Sequence, residues 1–153
     1  MTMALYHYLQ TLQPKVAVIA LLVSIPLVFV SYSIHEAAHW LAGRAFGATG
    51  SLTFFPLRGK SRLWMVSIMG MRFDDAARRQ VSRSQIRMMA LAGPAWDLMF
   101  GAACMCFYHD LTGPEVLRAT VACVGVSVLF SSIALNVVPL PIGNDGWRVL
   151  HPD

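Results

Sequence analysis

The amino-acid sequence predicts an α-helical integral membrane protein, a core of three transmembrane helices with a small membrane-associated β-hairpin or sheet between helices 1 and 2. Three observations carry this. Of 153 residues, 56% are hydrophobic and only 13% charged, about half the charged share of a soluble domain. Three apolar runs are each long enough to cross a hydrocarbon core of about 30 Å as a helix. A single long polar connection, between the first two runs, holds most of the positive charge. The length suits one domain covering residues 1–153.

In chain order, the first 15 residues, with Tyr6, Tyr8 and Pro14, read as an interfacial lead-in. Val16 to Ile34 is 19 residues without a charge and sets the first span at about 16–38. Lys15 before it resembles the start of a secretory signal, but the apolar run is too long and no cleavage-site pattern follows. Met88 to Tyr108 is 21 residues whose only charge is Asp97, giving a second span at about 87–108. Ala119 to Val138 is 20 uncharged residues, giving a third at about 117–138. Pro26 and Pro94 fall inside spans, where kinks are expected and breaks are not. Cys104, Cys106 and Cys123 also lie within spans and read as small apolar residues, without a disulfide framework.

The connection from Arg44 to Arg87 carries nine Lys or Arg against Asp74 and Asp75, whereas His109 to Arg118 offers one Arg beside Asp110 and Glu115. The positive-inside rule therefore puts residues 44–87 and the C-terminus in the cytoplasm and the N-terminus outside, with a prokaryotic cytoplasmic membrane as the expected location. The net charge of +4 is then a topology signal suited to an anionic lipid leaflet, and no nucleic-acid partner is implied. Within 44–86, Ser51 to Leu57 and Leu63 to Phe73 are rich in β-branched, aromatic and Met residues around a turn-like Arg58 to Ser61, which predicts the hairpin. Asp74 and Asp75 suit a helix start before Ala76 to Arg87, a basic stretch that fits the membrane surface or a solvated linker equally well.

The chemistry concentrates in His35-Glu36-Ala37-Ala38-His39, at the end of the first span. Positions i and i+4 share a helix face, so both imidazoles can hold one metal ion while Glu36, about 100° around, reaches a water on it. Zinc suits these ligands: a catalytic zinc takes three protein ligands and acidifies a water in the fourth position, whose proton Glu36 can accept. The bland alternative is a pair of satisfied helix histidines, but three ionisable groups at membrane depth are expensive and call for a function. A third ligand must come from elsewhere. The third span ends at the same face as the first, in Asn136-Val137-Val138-Pro139-Leu140-Pro141-Ile142-Gly143-Asn144-Asp145-Gly146. Two prolines stop the helix, and the loop can return Asp145 toward the metal. An ordinary Asp-Gly turn is the alternative for Asp145; His151 competes as ligand, with Asp153 more remote.

At these residues the chain resembles the site-2 protease family of intramembrane zinc metalloproteases. His35 to His39, followed by Ala42-Gly43-Arg44-Ala45-Phe46-Gly47, resembles that family's zinc helix and its exit. Ala92-Gly93-Pro94 with Asp97 resembles its Ala-Gly-Pro segment, Asn136 to Gly146 its Asn-x-x-Pro to Asp-Gly motif, and the basic β-rich connection its membrane-associated sheet. The resemblance runs from about Val16 to Leu150. It implies one zinc held by His35, His39 and Asp145, Glu36 as the catalytic residue, and three spans as the catalytic core of a minimal member. It also implies Asp97, Asn136 and Asn144 as residues around the metal or the substrate. Two departures stand out: Asp97 replaces the usual Asn, and Asn136 to Asp145 is nine positions, one more than the commoner spacing. A carboxylate at 97 can be protonated or can hydrogen-bond a ligand histidine. The expected activity is hydrolysis of peptide bonds in or near transmembrane segments of other membrane proteins, within the lipid bilayer; a homo-oligomer or a regulatory membrane partner is left open. The rival readings are a catalytically silent zinc-binding membrane adaptor and a zinc or proton transporter using the same His and Asp residues as relays.

Overall fold

The structure is a computed structural model describing residues 7–8, 10–54, 69–73, 80–141 and 144–152, with no side-chain description for 51–54 and 69–73. Helix α1 spans Pro14–Ala45, strand β1 Gly50–Phe54, strand β2 Met69–Phe73, helix α2 Arg83–Phe107 and helix α3 Glu115–Ser131. A π-helical turn, Ser132–Val137, extends α3, and a short helix α4 spans Asp145–Leu150. The chain is mostly helical, and α1, α2 and α3 with its π turn are each long and apolar enough to cross a membrane.

The distribution of side chains over these helices is that of a membrane bundle. On α1 the buried positions are Ala20, Ser24, Ser31, Ser33, His35, His39 and Gly43, all small or polar. Its large residues, among them Val18, Leu21, Leu22, Ile25 and Val30, are exposed. Lipid is as apolar as leucine, so helices in a bilayer gain little by burying leucine and associate instead through small and polar residues that allow close approach. The same holds between α2 and α3, where a methyl on Gly125 would lie 2.9 Å from Cys104 Cβ and one on Gly101 2.6 Å from Leu129. Each of the three long helices packs on the other two.

Pro26 and Pro94 both lie within continuous helices. At 32 residues α1 is about 48 Å long, well beyond a core of about 30 Å, so it passes the expected end of its span by two turns. It stops in a Schellman cap: Gly47 takes φ 79°, Gly47 N–H donates to Arg44 O at 3.1 Å, and Ala48 N–H to Gly43 O at 2.9 Å. Trp40 Nε1 then donates to Gly50 O at 3.1 Å and ties the first strand to the helix. β1 and β2 pair antiparallel from Gly50↔Phe73 to Phe54↔Met69. The turn expected at Arg58 to Ser61, the helix start expected at Asp74 and Asp75, and Asp153 lie outside the described residues. Arg83 to Arg87, expected in a separate surface stretch, instead form the first turn of α2, set by a capping box in which Ser82 Oγ accepts from Gln85 N–H and Gln85 returns to Ser82 N–H.

Candidate metal centre

Two helices with matched four-residue spacing build the centre. α1 presents His35 and His39, whose rings meet edge to face at 4.7 Å. The facing stripe of α2 is Met89, Gly93 and Asp97, also spaced by four and all buried. His39 Nδ1–H donates to the Met89 carbonyl at 2.6 Å, and His35 Nδ1–H donates to Asp97 Oδ2 at 2.7 Å. A carbonyl can only accept, so the proton of neutral His39 sits on Nδ1 and its Nε2 keeps a bare lone pair. The Asp97 carboxylate fixes the same tautomer on His35.

Between these two anchors lies Gly93. A methyl group there would collide with His39 Nε2 and stand 2.5 Å from His35 Nε2. The absent side chain leaves the space into which both bare nitrogens point.

Asp145 closes the arrangement from the other side of the bundle. Its Oδ2 is 3.2 Å from His35 Nε2 and 3.2 Å from His39 Nε2, and the two nitrogens are 3.0 Å apart. Atoms at these spacings can share protons as hydrogen-bonded His–Asp pairs or hold a cation among them. Ligand atoms at tetrahedral corners around zinc, at bonds of about 2.0–2.1 Å, are about 3.3 Å apart, close to the spacing seen. The three buried residues form a group able to hold a metal ion. Burial pushes the Asp145 carboxyl up, but hydrogen bonds and positive charge from His35 and His39, present when their Nε2 atoms carry protons in place of a cation, outweigh burial and hold it well below the ordinary carboxylate range.

Asp145 owes its position to Asn144. This residue caps α4, accepting from Trp147 N–H at 3.0 Å and Leu140 N–H at 3.2 Å, while its amide donates to Leu135 O and Val138 O at the end of the π turn. One side chain thus fastens the segment after α3 to the helix it left. Gly146 allows the close seat, because a methyl there would run into the Val137 carbonyl. The loop expected around Asp145 is, at Asp145 itself, the first turn of a helix. Arg87 Nε donates to Val149 O at 2.9 Å and pins α4 against the start of α2.

His151 is turned elsewhere: it is exposed, stacked on Trp147 at 4.0 Å, with Nδ1–H donating to Trp147 O. Asn136 is half-buried in the π turn, and its side chain makes no hydrogen bond among the described residues. Glu36 is half-buried beside His35 and has neither a hydrogen bond nor an ion pair among the described residues. Sequence reasoning missed Met89 and Gly93. The signal was the four-residue stripe that they form with Asp97, legible only once α2 is known to face α1. The chain matches no protein-family model, no curated protein and no solved structure.

Proposed function

We propose that this chain is a membrane-embedded zinc metalloprotease that hydrolyses peptide bonds in or near the transmembrane segments of other membrane proteins. The observation that carries the reading is the convergence of His35 Nε2, His39 Nε2 and Asp145 Oδ2 within 3.2 Å, one residue from an unpartnered Glu36. Two neutral nitrogens and one carboxylate oxygen suit zinc, and three protein donors leave a fourth position open, the arrangement of a catalytic rather than a structural site.

Zinc, held by His35, His39 and Asp145, would supply an acidified water and a Lewis acid for a peptide carbonyl. Glu36 accepts the proton of the attacking water and delivers it to the departing amide nitrogen. Asp97 and the Met89 carbonyl hold the imidazoles in the tautomer that the ligand set needs. A transmembrane helix hides its carbonyls in its own hydrogen bonds, so the substrate must be extended to be cut. The β1–β2 ribbon, tied to α1 through Trp40, offers an edge on which an extended segment can pair. The pattern from His35 to Asp145 supports membership of the site-2 protease family as part of this proposal.

The test is cleavage of a panel of single-span membrane proteins by the purified chain beside Glu36→Gln. The variant should retain zinc and lose hydrolysis by a factor on the order of 100 or more. A Glu36→Gln protein that cuts as fast as the wild type removes the protease reading.

A further inference from the structure

Among the described residues, Asp97 is the one buried acidic side chain that the proposed reaction does not use. It is 0% exposed, in the middle of α2, and among the described residues its one ion-pair partner is His35, with no Lys or Arg beside it. Its Oδ2 receives the His35 Nδ1 proton at 2.7 Å, and its Oδ1 has no partner among the described residues. Hydrogen bonding alone does not explain a carboxylate here. An asparagine would accept the same proton through its amide oxygen without bringing charge into a lipid-surrounded core, where an unanswered charge is among the costliest groups to place.

A divalent cation answers that charge. With His35 and His39 neutral, Asp145 cancels one of its two positive charges and leaves the other within the bundle. Asp97 lies one imidazole away, on the far side of His35 from the three donor atoms, and places a second acidic side chain beside the ion. We propose that Asp97 is the positioning residue of the metal centre, acting through His35: it fixes the ring with Nε2 toward the ion and polarises it more strongly than an amide at this position would. This inference rests on the metal-site reading above and not on the protease activity. It gives a physical reason for an acid at a position where the resembling family usually carries an amide.

The experiment is a zinc-competition titration against a chromogenic chelator on the purified full chain, wild type beside Asp97→Asn and Asp97→Ala. Thermal unfolding of each chelated protein and the visible ligand-field spectrum of each cobalt-loaded protein accompany it. Asp97→Asn keeps the shape and an acceptor but removes the charge, and should bind zinc about 10-fold more weakly; Asp97→Ala removes both and should bind it about 100-fold more weakly. The cobalt bands should shift in Asp97→Asn, because a less polarised His35 is a poorer donor, while the chelated variants unfold no earlier than the wild type. Asp97→Asn binding zinc as tightly as the wild type, with an unshifted spectrum, overturns the proposal. So does earlier unfolding of the chelated variants in proportion to their lost affinity, which marks a structural residue. A wild-type chain that binds no zinc overturns the metal-site reading and takes the Asp97 proposal with it, whereas tight binding unaffected at position 97 overturns the Asp97 proposal alone.

Discussion

Gly93→Ala is the sharpest perturbation available, because it adds one methyl group and replaces no ligand. In the structure that methyl would collide with His39 Nε2 and lie 2.5 Å from His35 Nε2 and 2.7 Å from His35 Cδ2. Restoring an ordinary contact of 3.4 Å requires His35 Nε2 to retreat by 3.4 − 2.5 Å, about 0.9 Å, with a larger retreat for His39. Zinc–nitrogen bonds tolerate about 0.2 Å of error, so both imidazoles lose their place at the ion together. The Nδ1 anchors oppose any compensating tilt: the Met89 carbonyl and Asp97 hold the far side of each ring at 2.6 and 2.7 Å. Zinc affinity should fall at least about 100-fold, the upper end of what lost support of a ligand costs, since here the ligand atoms themselves move. Alanine is the better helix former by about 1 kcal/mol, which offsets part of the steric cost, so the chelated variant should remain folded. Chelator competition gives the affinity and circular dichroism the helix content. A folded Gly93→Ala protein that binds zinc like the wild type would refute the placement of the ion between Gly93 and Asp145.

Two further outcomes are expected. Asp145→Ala should weaken zinc binding by about 10-fold or more and abolish cleavage, whereas His151→Ala, whose ring stacks on Trp147, should leave both nearly unchanged; the reverse pattern in metal analysis would reassign the third ligand. An engineered cysteine at Lys60 should react with a membrane-impermeant reagent only from the cytoplasmic side, as the Lys and Arg asymmetry requires, and labelling only from outside would invert the orientation.

The helices were legible because membrane length and charge exclusion act on contiguous residues, and a run such as Val16 to Ile34 states both in one dimension. His35 and His39 were legible for a similar reason, since a spacing of four fixes a shared face whatever the rest of the chain does. Gly93 is different. Its role depends on which face of α2 meets α1 and at what height, a register seen in the contacts of His35 and His39 with Met89, Gly93 and Asp97. Asn144 was named from its place in a motif, yet its function as the clasp between the π turn and α4 depends on carbonyls left free at Leu135 and Val138. The end of α1, about two turns beyond the expected span, was not legible, because hydropathy marks where lipid ends and not where a helix ends; the stop at Gly47 is a backbone event.

The third donor reaches the first two across 110 and 106 positions of chain. Synthesis is directional, so the imidazole pair is made and inserted long before its carboxylate partner emerges. A nascent chain halted after the second helix holds two nitrogens and Asp97 but no Asp145, and cannot enclose an ion with three protein donors. Completion of the centre is therefore coupled to the arrival of the third helix and the clasp that follows it. Maturation becomes a checkpoint written into topology: the three-donor group is withheld until the whole bundle has assembled.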